Sequence, residues 1–208
     1  MENHKGWETS LSDMEDLIEY SLSSGYQFKR IVLSGGEPLL WTILHEAIIM
    51  LKESGITPEI VMYTNALRVD EEYLPEFKKI CGLLTKVIVS KYDNNQKNID
   101  LIVKEKIPNV VILDREIFYA IPDEPIPDSL PADCGCKAFG MYGNKITLCT
   151  FQNHMIDLKG WKPIKFKSQV SKLGPEFLKK FENMDPFKRD MCSYCFGNLK
   201  TRDLLETY

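Results

Sequence analysis

Five of the six cysteines crowd the C-terminal part of the chain: Cys134-Gly-Cys136, Cys149 and Cys192-Ser-Tyr-Cys195. A Cys-x-x-Cys pair presents two thiolates from one tight turn, and thiolates carried by a hairpin complete a four-sulfur metal site. The expected ligands are Cys136, Cys149, Cys192 and Cys195. Cys134 is the alternative to Cys136, which lies closer to the hairpin. Iron–sulfur clusters and structural zinc both accept four cysteines, so the spacing leaves the metal open. Cys81 stands apart at the end of a helical pattern and reads as a core residue.

A second chemical feature lies upstream. Ile31-Val32-Leu33 runs directly into Ser34-Gly35-Gly36-Glu37-Pro38. Adjacent glycines at the carboxyl end of a parallel strand leave the backbone open to close approach by a ligand. Carbonyls there can accept hydrogen bonds from an ammonium group, and Glu37 supplies a countercharge. Pro38 suits the first position of the following helix. Two more strand ends carry polar groups: Thr64-Asn65 after Tyr63, and Ser90-Lys91-Tyr92 after Val89. In parallel sheets such positions converge on the ligand crevice.

The elements that must position these groups read as alternating strands and helices. Ile31–Leu33, Ile60–Tyr63, Val87–Val89 and Val110–Leu113 are short, continuous runs rich in β-branched residues, the pattern of strands buried on both faces. Between them lie amphipathic stretches. Ser12 with Glu15 predicts a capping box for a first helix bearing Leu17, Ile18 and Leu22, with Gly25 as its stop. A second helix aligns Trp41, Leu44, Ile48 and Leu51 and ends near Gly55. Asp70, Glu71 and Glu72 open a third, with Leu74, Phe77 and Ile80 inward. A fourth groups Ile99, Ile102 and Val103, with Lys104 and Lys106 in its last turn. This alternation predicts an α/β fold with a parallel sheet and right-handed crossovers.

The pattern breaks after Leu113. Ile121 to Pro131 holds four prolines and reads as a linker. Two domains are expected, an α/β core over 1–115 and a linker with a cysteine-rich extension over 116–208. Within the extension, Met141 to Lys145 is a turn signal between short strands, a hairpin with Cys149 on its return side. Gly174 to Met184 reads as a helix.

A net charge of −4 provides no basic field for nucleic acid or an anionic membrane. No apolar run reaches the length of a membrane span, and the polar start, Met1 to Trp7, lacks a signal-peptide core. A cytoplasmic location is expected, where clustered thiols read as metal ligands rather than disulfides.

Taken in order, these motifs resemble the radical S-adenosylmethionine (radical SAM) family. Gly35-Gly36-Glu37-Pro38 matches the turn that contacts the amino group of S-adenosylmethionine, and Thr64-Asn65 and Ser90-Lys91-Tyr92 match polar strand ends lining its pocket. The resemblance implies a partial (β/α) barrel, with Gly35, Gly36, Glu37, Asn65 and Ser90 binding the cofactor. The late cysteines resemble a SPASM or twitch extension holding one auxiliary 4Fe-4S cluster, zinc being the alternative metal. The family's defining Cys-x-x-x-Cys-x-x-Cys has no counterpart, since no cysteine precedes Cys81. The expectation is therefore a truncated or split radical SAM enzyme acting on a sugar or peptide. It would bind S-adenosylmethionine and generate radicals only once the missing segment is supplied. The alternative is a non-catalytic iron–sulfur or zinc protein that keeps the fold. A barrel lacking its first strand exposes an edge, which a partner chain or the N-terminal helix would cover.

Overall fold

The computed structural model describes residues 8–114, 140–142, 145–147, 170–172, 174–176 and 178. The chain divides into two compact units. One is Ser10–Phe118, and the other comprises Met1–Thr9 with Tyr119–Tyr208.

The first unit opens with α1 (Leu11–Ser24). Its capping box is Ser10 with Asp13, not Ser12 with Glu15: Ser10 Oγ accepts the Asp13 N–H at 3.1 Å, and Asp13 Oδ2 accepts the Ser10 N–H at 2.9 Å. Ser10 offers the same Ser-x-x-acid spacing two residues earlier. Starting there adds two residues of helix once the costly first turn is formed. Gly25 ends the helix as expected. The buried stripe is Met14, Leu17 and Ser21, while Leu22 is exposed. The Ser21 hydroxyl is accommodated in the core by donating to the Tyr26 carbonyl.

β1 (Ile31–Leu33) leads through a short 3-10 turn (Pro38–Leu40) to α2 (Leu44–Ser54), which buries Leu44, Ala47, Ile48 and Leu51. Trp41 therefore lies outside α2 rather than on its stripe. β2 (Ile60–Thr64) is followed by α3 (Leu74–Leu83), which buries Leu74, Phe77, Ile80 and Cys81. Asp70 Oδ1 accepts the Tyr73 N–H at 2.8 Å at the entry to α3. β3 (Lys86–Lys91) is followed by α4 (Gln96–Lys104) and β4 (Val110–Asp114). In α4, Ile99 and Ile102 are buried as expected, but Val103 is exposed.

The four strands form one parallel sheet in the order β1-β2-β3-β4. Right-handed crossovers that always advance in one direction place every connecting helix on the same face. α1 packs on α2, and α2 on α3. The register aligns Leu33 with Met62, Met62 with Val87 and Val87 with Val110. Leu33, Met62 and Val87 are buried on the helix side, as is Val89. The alternate positions Val32, Tyr63 and Val111 are 45%, 36% and 39% exposed. The strands are thus not all buried on both faces. On that second face Val61 and Ile88 are buried, so the central strands β2 and β3 bury both faces there while the edge strands β1 and β4 do not.

In the second unit, β5 (Gly140–Tyr142) and β6 (Lys145–Thr147) pair antiparallel, with Met141 opposite Ile146, and β7 (Val170–Lys172) pairs antiparallel with β6. The hairpin predicted across Met141 to Lys145 is present. The Leu178 N–H donates to the Gly174 carbonyl, a helical turn within the segment predicted as a helix.

Candidate functional site

The candidate site lies at the carboxyl ends of β1, β2 and β3. Gly35 follows β1 with φ +142°, a conformation that a side chain strongly disfavours. Gly36 has no positive φ, and a Cβ built on it would meet nothing within 4 Å among the described residues beyond its chain neighbours. Those residues therefore give no steric reason for glycine at 36, and the backbone there is exposed.

Glu37 turns back from this loop to the end of β2. Its Oε1 accepts the Leu39 N–H at 3.1 Å and the Thr64 hydroxyl, and its Oε2 accepts the Asn65 N–H at 2.8 Å. Both oxygens are engaged within the protein. The expected countercharge is present, but the carboxylate's geometry is set by tying β1 to β2. Thr64 Oγ1 in turn accepts the Ala66 N–H at 2.9 Å, and Asn65 Oδ1 accepts the Leu67 N–H at 2.9 Å, an Asx-type turn.

Asn95 was not among the residues singled out from sequence, yet it joins the next two strand ends. Its side chain is fully buried. Nδ2 donates to the Asn65 carbonyl and, at 2.8 Å, to the Ser90 carbonyl, while Oδ1 accepts the Tyr92 N–H at 2.8 Å. Asn98 adds Nδ2 bonds to the carbonyls of Leu67 (3.3 Å) and Val69 (2.8 Å). The structure thus links Glu37, Asn65 and Ser90 into one polar chain running across three strands. The signal that could have found Asn95 is weak in a sequence. Asp93-Asn94-Asn95-Gln96 reads as polar surface, and only one of the four turns inward.

The loop held this way contains Ala66, buried and at φ +53°. A non-glycine residue in the left-handed region costs about 1–2 kcal/mol, and such strain persists only where surrounding bonds over-determine it. Arg68 closes the loop from outside. One guanidinium nitrogen donates to the Leu39 carbonyl, and the group lies 4.3 Å from the centre of the Tyr73 ring. Burial pushes the Tyr73 phenol up, partly opposed by Arg68.

Cys81 is buried in α3, and burial pushes its thiol up to about 12. It is core, as expected. Cys134, Cys136, Cys149, Cys192 and Cys195 lie outside the described residues. Among the described residues, no group of three His, Cys, Asp or Glu side chains is placed to hold a metal ion. No helix among them is long and apolar enough to cross a membrane.

No protein-family model and no curated protein matches the chain. Solved structures do. A selenomethionine form of BtrN in an open conformation matches with a TM-score of 0.53 and 18% identity, over 91% of this chain and 80% of that one. BtrN in complex with AdoMet and 2-DOIA matches over 55% of this chain and 48% of that one, with 24% identity and a TM-score of 0.44. The likeness to open BtrN shows the fold: a parallel four-stranded sheet with alternating helices, the α/β class that the sequence predicts.

Proposed function

We propose that this chain is a radical SAM-type iron–sulfur protein whose β1–β3 strand ends hold S-adenosylmethionine. The observation that carries the reading is the pairing of an exposed, sterically unneeded glycine at 36 with a rigid polar frame beside it. Gly35 and Gly36 leave their backbone open to an amino acid head group. Glu37 contributes negative charge beside it, and Asn65 and Ser90 occupy the adjoining strand ends. When bound together, a site-differentiated four-iron cluster and S-adenosylmethionine supply a carbon-centred radical that abstracts hydrogen from an organic substrate. A sugar or a peptide is the proposed substrate class. The three-cysteine motif for that cluster is not within these 208 residues, so radical generation is proposed for a form that includes it, while the strand ends by themselves are proposed, beyond the expectation from sequence, to bind S-adenosylmethionine weakly.

Cys136, Cys149, Cys192 and Cys195, with Cys134 in place of Cys136 as the alternative, are the proposed ligands of one auxiliary cluster. Anaerobic reconstitution with iron and sulfide, followed by metal analysis and electron paramagnetic resonance of the reduced protein, tests this. One four-iron cluster that is lost on Cys149→Ser or Cys192→Ser is expected. One tightly bound zinc and no iron would replace the reading with that of a zinc-stabilised module. One cluster with no binding of S-adenosylmethionine would favour the second reading, a non-catalytic iron–sulfur protein.

A further inference from the structure

Asparagine side chains clamp this sheet at both ends, and the two clamps differ in what they hold. At the amino end, Asn109 precedes β4 and donates through Nδ2 to the carbonyls of Cys81 and, at 2.9 Å, Leu84. These belong to the C-terminal end of α3, so Asn109 closes a helix end. At the carboxyl end, Asn95 grips Asn65 and Ser90, the residues proposed to face the ligand on β2 and β3. The two peptide groups flanking the Asn65 Cα are each held, the N–H by Glu37 and the carbonyl by Asn95.

We propose that Asn95 is a positioning residue that fixes Asn65 and Ser90 at the spacing the ligand requires. This rests on the reading that the strand ends bind S-adenosylmethionine. Three features support it. First, the amide orientation is determined: the reverse would set Oδ1 against two carbonyl oxygens and Nδ2 against the Tyr92 N–H. Second, the amide is buried, so no water can substitute for it without a cavity. Third, the loop it holds carries the strained Ala66, which would relax into another conformation if the grip were released. Asn95 touches no ligand itself. It acts through the two residues whose carbonyls it binds.

The test is a titration of the full chain with S-adenosylmethionine, read by amide chemical shifts, which report weak binding. The variants are Asn95→Asp, which removes both donors at constant shape, and the milder Asn95→Ser. Asn109→Ala is the control for loss of a clamp as such. The expected result is a Kd raised about tenfold in the Asn95 variants, with hydrogen exchange faster at Asn65 and Leu67. Asn109→Ala is expected to lower Tm while leaving Kd at the wild-type value. A wild-type Kd in a folded Asn95→Ser protein would overturn the proposal. So would a Kd raised equally by Asn109→Ala, because affinity would then follow general stability. If the wild-type chain produces no shift at Gly35 and Gly36, the ligand reading itself falls, and the positioning role with it.

Discussion

The two ends of the parallel sheet solve the same physical problem with different stakes. Each must satisfy the backbone groups where strands stop and helices begin. At the amino end this is done with ordinary means. Thr85 Oγ1 accepts the Ile60 N–H, Thr57 Oγ1 accepts the Glu59 N–H, and Arg30 pairs with Glu59 at the surface. The one left-handed non-glycine there, Lys106, is exposed and follows the end of α4, where such a conformation commonly terminates a helix. At the carboxyl end a carboxylate and two asparagines hold the backbone of Asn65, Leu67 and Val69, around the buried and strained Ala66, and Arg68 of the same loop reaches back to Leu39. More bonds are made there than closing a loop requires. That surplus is what a preorganised binding site needs and what a simple turn does not.

Substitutions can break or sharpen this contrast. The largest effect is expected from Glu37→Ala. It leaves the Asn65 N–H and the Thr64 hydroxyl without their acceptor, and loss of about 3 kcal/mol is expected by urea denaturation. A cost under about 1 kcal/mol would mean water replaces the carboxylate freely, and the rigid frame would not be rigid. Next is Ala66→Val. A β-branched residue at φ +53° in a buried loop should cost about 2 kcal/mol, whereas valine at the exposed Lys106 should disturb only a helix end.

A smaller effect belongs to the core that both ends share. Cys81→Ala should cost about 1 kcal/mol for the space the sulfur leaves. Its dependence on pH has a definite sign. In the folded chain the thiol stays protonated until about 12, while in the unfolded chain it ionises near its ordinary value of 9.0. The stability tied to that raised value is complete below pH 9 and falls as pH climbs toward 12. The gap in stability between wild type and Cys81→Ala should therefore narrow from pH 9 to 11. Cys81 should also resist alkylation at pH 8 in the folded protein, as mapped by mass spectrometry.

The smallest effect is expected away from both ends, at the exposed link between α2 and α3. The His45 hydrogen bond, and then Lys79, hold the Glu76 carboxyl below its ordinary range. A lowered carboxylate supports the fold above its ordinary value and loses that support as pH falls through the lowered one. His45→Ala should raise the Glu76 value in a carbon-detected titration and leave Tm nearly unchanged, because the pair is exposed.

Much of the fold was legible because it rests on periodic burial. Ile31–Leu33, Ile60–Tyr63, Val87–Val89 and Val110–Leu113 announce strands, and the Leu44–Ile48–Leu51 and Leu74–Phe77–Ile80 spacings announce helices. The continuous apolar runs do mean two covered faces in the central strands, where Ile60–Val61–Met62 and Val87–Ile88–Val89 are buried, but not at the sheet's edges, where Val32 of β1 and Val111 of β4 are exposed. The site divided in the same way. Gly35, Gly36, Glu37, Asn65 and Ser90 stand out by following strands. Asn95 does not, because its partners are backbone carbonyls. Any residue type can supply those, so they leave no mark on the sequence. Ser10 replaced Ser12 as cap for a related reason: two residues satisfy one local rule, and helix length decides between them.

The most direct measurement compares wild type with Gly36→Ala in one experiment, an amide-shift titration with S-adenosylmethionine alongside thermal unfolding. A methyl at 36 meets nothing within 4 Å among the described residues beyond its chain neighbours, so Tm and the spectrum should be unchanged while the ligand-dependent shifts at Gly35, Asn65 and Ser90 disappear. If the alanine variant responds to the ligand as wild type does, the bare backbone after β1 is a turn and nothing more.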